Sequence, residues 1–307
     1  MKPKIALLAG GKSPEREVSL KGAQAVEEAL KGLGYPYVRF DPASDLALLA
    51  QRASEFDLAF LVLHGPGGED GTIQGFLELL GLPYQGAGVL GSALALDKAL
   101  SKWLYQKAGL PVPKGQILSS PKPLPQLERY PVVVKPVSQG SSVGLSLVKH
   151  PEELPLALEK AFRYEERVLI EEYLPGRELT VGVLGEEALP VVEIIPWEGF
   201  EFFDYQAKYT PGATQEICPA RIPEEIARKA QEYALRAHEV LRLRHYSRTD
   251  FIYYQDEVFV LETNTIPGMT ETSLLPLAAR TAGYSFSELV QKLIELALAT
   301  AKGKHLL

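Results

Sequence analysis

Two runs late in the chain, SRTDFIYY over residues 247–254 and VFVLETN over 258–264, are β-branched, aromatic and separated only by Gln255, Asp256 and Glu257. That spacing is the mark of a β-hairpin. A strand places residues i and i+2 on one face, so the pairing register decides which side chains meet. With a three-residue loop, Tyr254 pairs with Val258, Asp250 lies opposite Glu262, and Arg248 lies opposite Asn264. One face then carries Arg248, Asp250, Glu262 and Asn264 together. A two-residue loop breaks this arrangement, because a slip of one residue sends every side chain to the other face.

Asn264 is the only asparagine among 307 residues, and the only methionine besides the initiator, Met269, lies five residues further on. Scarcity of Asn, Met and Cys is expected of heat-adapted proteins, and 23 prolines add to that bias by restricting the unfolded chain. An amide retained in such a chain points to chemistry. Two carboxylates and an amide oxygen, without sulfur or imidazole, suit a hard cation such as Mg²⁺ or Mn²⁺ that completes its shell with water and phosphate. The same face also reads as a solvated strand with cross-strand ion pairs.

A formal charge of −7 argues against nucleic acid or an anionic membrane as the main partner. The single cysteine, Cys218, excludes an internal disulfide and fits a reducing compartment. The apolar run that opens the chain, Ile5 to Ala9, is too short for a signal peptide, and no stretch approaches a membrane span of about 20 residues. A cytoplasmic protein is expected. Strand signals IALLA, YVRF and LAFLVLH alternate with helical ones after Pro14, around 45–54 and over 72–80, the rhythm of a parallel α/β sheet. One long helical stretch, 89–108, ends before the Pro111/Pro113 pair. A small α+β segment follows to about residue 180, and then strands, an aromatic and polar connection over 197–215, a helix from Glu224, the hairpin and two C-terminal helices.

Two motifs are decoys. Gly11-Lys12-Ser13 ends like a phosphate-binding loop, but Ala6 stands where its first glycine belongs. Gly86-Ala87-Gly88-Val89-Leu90-Gly91 has dinucleotide spacing, yet it follows a late strand and has no acidic residue about 20 positions on. Close packing and a tight turn account for it. Three signals carry chemistry. The loop QGSSVG over 139–144, with Lys135 upstream, can fold backbone amides and hydroxyls around phosphates. The run EEYLPGRE over 171–178 offers extended backbone to a purine and a carboxylate to ribose hydroxyls. The turn from His64 to Thr72 would bring a small ligand to the first amides of the helix that begins there.

Eight stretches stand in one order: GGKSPEREVSL, HGPGGEDGTIQG, LDKALSK, VVVKPVSQGSSVG, LIEEYLPGRELTV, YQAKYTPG, SRTDF and LETNTIPGMTETSLLP. Together they resemble the D-alanine:D-alanine ligases of the ATP-grasp superfamily over nearly the whole chain. The resemblance implies an ATP-grasp fold combining α/β and α+β parts, an N-terminal parallel-sheet domain (1–110) followed by two domains (111–180 and 181–307) that sandwich ATP. It also implies a homodimer, D-alanine and ATP as substrates, and two Mg²⁺ or Mn²⁺ ions.

By the same resemblance, Lys98, Lys135 and Ser142 would meet the nucleotide phosphates, the backbone from Glu171 and Glu172 to Leu174 would hold adenine, and Glu178 would take the ribose. Asp250, Glu262 and Asn264 would hold the metals. Glu15 would receive the first D-alanine's ammonium beside His64 and Ser141, and Ser273 and Leu274 the second's carboxylate. Arg248 and the Gly268 amide would stabilise the reacting oxygens. Lys208, reaching the γ-phosphate, and Tyr209, pairing with Ser141 and Glu15, would sit on a lid. The Lys208-Tyr209 pair resembles the dipeptide-forming type rather than a ligase making D-alanyl-D-lactate. The complete metal trio argues against a regulatory nucleotide binder without catalysis.

Overall fold

The structure, a computed structural model, describes residues 2–196 and 214–304. Strands β1 (Ile5–Ala9), β2 (Tyr37–Phe40) and β3 (Leu58–Val62) form a parallel sheet in the order β2-β1-β3. Every residue of β1 and β3 is buried, as expected of parallel strands covered on both faces. The two faces feed different cores. Ile5, Leu7 and Ala9 pack with the helix Arg16–Leu33 and the C-terminal helix Phe286–Lys304, whereas Ala6 and Leu8 pack with Leu49, Phe56, Ile73 and Leu77. The first of these cores also takes in Leu184, Val192, Ile194 and Tyr246, so the parallel sheet is anchored directly to the C-terminal part of the chain.

A second sheet, antiparallel in the order β4-β7-β5-β6, contains β4 (Gly115–Leu118), β5 (Val132–Pro136), β6 (Ser146–Val148) and β7 (Val168–Glu172). The helix Leu154–Phe162 covers its apolar face. The third sheet, also antiparallel, runs β11-β10-β8-β12-β13 with β9 paired to β8. Its strands are β8 (Arg177–Leu184), β9 (Glu187–Ala188), β10 (Val192–Pro196), β11 (Thr214–Ile217), β12 (Tyr246–Tyr254) and β13 (Glu257–Asn264). Ala230, Ala234 and Ala237 of the helix Glu224–Val240 pack on its back. Among the described residues no helix is long and apolar enough to cross a membrane.

Two local expectations are corrected. The stretch 89–108 is not one helix but two, Val89–Leu96 and Lys98–Lys107. Asp97 breaks it: its backbone is extended and its carboxylate accepts from the amides of Ala99 and Leu100, both at 2.9 Å. This N-cap starts a new helix with Lys98 as its first residue. The loop of the β12–β13 hairpin has two residues, not three. Gln255 and Asp256 both take positive φ, 50° and 59°, the requirement of a type I′ turn, and Tyr254 pairs with Glu257. Yet Asp250 still faces Glu262 and Arg248 still faces Asn264. The register shifts between Asp250 and Phe251, whose partner is Val260, so Leu261 is an extra residue. This β-bulge offsets the shorter turn and leaves the four polar residues on one face.

Candidate active site

The second and third sheets face each other across a chamber. Lys135 on β5 and Glu171 and Glu172 on β7 line one side; Glu178 on β8, Asp250 and Ile252 on β12, and Leu261 and Glu262 on β13 line the other. Gln139, Ser142, Val143 and Leu145, together with Tyr173 and Leu174 just after β7, complete the lining. Apolar side chains on both walls with cationic groups among them suit a flat heterocycle carrying an anionic chain.

The charges are tightly paired. Glu171 lies 2.5 Å from the Lys135 ammonium and 2.7 Å from that of Lys102, and all three are buried. Burial alone would raise the Glu171 carboxyl, but the two lysines hold it at about 2. Lys98 donates to the Gln139 carbonyl at 2.8 Å and pairs with Glu262 at 3.2 Å, joining the 139–144 loop to the hairpin. In that loop Ser141 and Ser142 both adopt left-handed backbone, φ 49° and 57°, a strain of about 1–3 kcal/mol each that tends to gather at functional sites.

A second chamber opens beyond Glu262, which borders both. It is lined by Glu15, His64, Glu69, Gly140, Ser141, Arg248, Asn264, Gly268, Ser273 and Leu274, among others. Ser141 donates to the Glu15 carboxylate. A side-chain carbon at Gly65, whose φ is +65°, would meet that carboxylate at 2.8 Å, so only glycine allows the His64 turn to approach. His64 is buried, and its Nε2 has no hydrogen-bond partner among the described residues. Burial pushes its imidazole toward the neutral form, with Glu15 opposing. Glu69 accepts from the amides of Gly65 (2.9 Å) and Ile266 (3.0 Å). Burial, then the nearby Glu15, push its carboxyl up to about 7.

In the first chamber, Asp250 is held by four hydrogen bonds from three residues. Arg248 donates to it twice, both at 2.9 Å, Thr180 at 2.6 Å and the Asn264 amide at 3.1 Å. Ser273 stands at the N-terminus of the helix Leu274–Thr281, and its hydroxyl accepts from the Thr270 amide at 3.1 Å.

This geometry has close relatives. Residues 104–295 match the family model described as D-ala D-ala ligase C-terminus, and residues 40–87 match D-ala D-ala ligase N-terminus. A curated D-alanine–D-alanine ligase from Syntrophobacter fumaroxidans is 55% identical, with 96% of this chain and 97% of that one covered. The chain belongs to the D-alanine–D-alanine ligase family. Its fold is that of solved ligases. The Bacillus anthracis D-alanine–D-alanine ligase complexed with ATP superposes with a TM-score of 0.87 at 32% identity, covering 98% of this chain and 99% of that one. A D-Ala:D-Ser ligase from Enterococcus faecalis does so with a TM-score of 0.82 at 33% identity, covering 97% and 100%.

The residues that the sequence offered for a D-alanine–D-alanine ligase fall into two groups. Lys98, Lys135, Ser142, Glu171, Glu172, Leu174 and Glu178 meet Asp250 and Glu262 in the first chamber. Glu15, His64, Ser141, Arg248, Asn264, Gly268, Ser273 and Leu274 meet Glu262 in the second. Lys208 and Tyr209 lie outside the described residues. One expectation moves: the helix that begins at Thr72 does not border the second chamber, and its first amide is taken by Asp70 at 2.9 Å. The helix facing the chamber is the one that begins at Leu274. Three residues went unassigned. Glu69 and Lys102 lie inside quoted motifs, HGPGGEDG and LDKALSK, and burial singles them out. Thr180 is two residues from Glu178 on β8 and directly opposite Asp250, so strand alternation was its signal.

Proposed function

We propose that the chain carries out the reaction of its family, the ATP-dependent joining of two D-alanine molecules to D-alanyl-D-alanine through an acyl phosphate, in the cytoplasm and as a step of peptidoglycan precursor synthesis. The observation that carries this reading is the junction at Glu262, where a chamber lined by apolar side chains and two lysines meets a second one lined by Glu15, Arg248 and a helix N-terminus. A carboxylate resists attack because its charge repels a nucleophile and its oxide does not leave; phosphorylation removes both obstacles.

In this reading Lys98, Lys135 and the Ser142 loop hold the phosphates, the backbone from Glu171 through Glu172 to Leu174 holds adenine, and Glu178 takes the ribose hydroxyls. Glu15, oriented by Ser141, receives the first ammonium beside His64. Ser273 and Leu274 offer the helix N-terminus to the second carboxylate. Arg248 and the Gly268 N–H oppose the oxyanion that develops when the second amine attacks. Asp250, Glu262 and Asn264 form an all-oxygen donor set on one strand face, which fits two Mg²⁺ or Mn²⁺ ions; bound there, the ions would neutralise the transferring phosphoryl group. Lys208 and Tyr209 belong to a lid that keeps water from the acyl phosphate. Domain boundaries near residues 110 and 180, a homodimer and heat resistance complete the proposal. A melting midpoint inside the usual mesophile range of about 45–65 °C would remove the last of these.

The decisive assay is ADP release across D-alanine, D-serine and D-lactate with product identification. D-Alanyl-D-alanine as the main product is expected. A preference for D-serine or D-lactate as second substrate would move the chain to another branch of the same chemistry, and nucleotide binding without turnover would end the proposal.

A further inference from the structure

Lys102 is a buried cation with no task in the reaction just proposed. It lies one turn beyond Lys98 on the helix Lys98–Lys107, so the two side chains project from the same face. Lys98 lines the first chamber, whereas Lys102 does not. Lys102 is 7% exposed, and its ammonium lies 2.7 Å from one carboxylate oxygen of Glu171; the other oxygen lies 2.5 Å from Lys135. Glu171 is 4% exposed.

Two lysines therefore share one carboxylate in a dry wall; Glu262, which also attracts both of them, is paired with Lys98, so the three lysines and two glutamates together hold one positive charge in excess. Desolvating an ammonium is costly, and Lys135 alone already balances Glu171, so neutralising that carboxylate does not require Lys102. Its presence changes what Lys135 can do. In a simple pair, an incoming phosphate competes with Glu171 for the Lys135 ammonium. With half of the carboxylate engaged by Lys102, the chamber-facing lysine keeps charge for an anion. Glu171 stays ionised at any physiological pH, with its carboxyl held at about 2 by the lysines against burial. The charge of the group is thus set by its cations. Burial presses Lys102 toward the neutral form, and Glu171 opposes this.

We propose that Lys102 is a positioning residue of the nucleotide site: by sharing Glu171, it leaves Lys135 with uncompensated positive charge that draws the phosphates of a bound nucleotide. This rests on reading the first chamber as the nucleotide site.

The test is calorimetric titration of ADP into the wild type, Lys102→Met, Lys102→Arg and the double variant Lys102→Met/Glu171→Gln, at several salt concentrations. Lys102→Met leaves a neutral pair, so ADP Kd should rise about tenfold or more, the scale of one unit charge near a partly buried anion. Its salt dependence should flatten, and the KM for D-alanine should not change. Lys102→Arg keeps the charge and should stay near wild type. The double variant removes one charge of each sign, restores the excess on Lys135, and should regain most of the affinity and its salt dependence; it also leaves no carboxylate to be stranded if the single variant folds poorly. Wild-type ADP affinity in Lys102→Met, or a double variant no tighter than the single one, overturns the proposal. A wild type that binds no adenine nucleotide overturns the reading of the chamber itself, and this inference with it.

Discussion

The two chambers that meet at Glu262 are built from different kinds of chain. The first is walled by strands: Lys135, Glu171, Glu178, Asp250 and Glu262 are aimed by the ladders of two antiparallel sheets. The second adds to the strand residues Arg248 and Asn264 a set of segment ends: the residue before a helix (Glu15), the turn at 64–69, the tip of the 139–144 loop, and the start of the helix at Leu274. Ladder hydrogen bonds fix the backbone from which each strand side chain projects. The second chamber is held by reciprocal bonds between side chains and loops, such as Glu69 to the amides of Gly65 and Ile266 and Ser141 to Glu15. A change in the first should act locally; a change in the second should spread among the segments it joins.

The largest effect is expected at the junction, where the distinction breaks down. Glu262→Ala and Asn264→Ala should fold normally by circular dichroism but lose at least about 10²-fold in kcat, the scale for removing one group that stabilises developing charge. Asn264→Asp, which keeps an oxygen, should retain more activity than the alanine variant. Near-wild-type turnover in either alanine variant at saturating Mg²⁺ would remove the metal assignment. A smaller effect sharpens the comparison. Ser141→Ala deletes a hydrogen bond to a carboxylate, worth about 1.5–3 kcal/mol, so the KM for D-alanine should rise roughly ten- to hundredfold while ADP affinity stays constant. Parallel loss of ADP affinity would show that the chambers are not separable.

The smallest effect is on stability, and its sign is set by Glu69. Its carboxyl is raised to about 7 in the folded protein, so folding favours its protonated form. The stability it contributes is fully present below the unfolded value near 4.5 and is lost as pH rises through about 7. The Glu69→Gln variant should therefore gain on the wild type as pH rises across that window, by up to about 3 kcal/mol. Denaturant midpoints of the two proteins that run parallel from pH 4.5 to 7.5 would contradict the assignment.

Strand alternation alone put Arg248 with Asp250 and Glu262 with Asn264, but bringing the two pairs together depends on the Leu261 bulge, which offsets the shorter turn and carries no local mark in the sequence. The motifs supplied the second chamber's residues, but not the bonds among them. Glu69 and Lys102 stand in quoted motifs without any local mark, because what distinguishes them is burial beside partners far along the chain: Ile266 for one and Glu171 for the other. The helix break at Asp97 was hidden for a different reason. Helical residues continue on both sides, and a capping aspartate inside such a run looks like one more polar position.

The hairpin behaves like a crystal containing an edge dislocation, in which one extra row ends inside the lattice and order is regular on either side. Leu261 is that terminated row. A hairpin with three residues at the tip and no bulge would have the same pairing at Asp250 and Glu262; the defect has only been moved inward, from the turn to the edge of the first chamber. There the extra residue is a leucine in the wall of the first chamber, next to Glu262 where the two chambers touch.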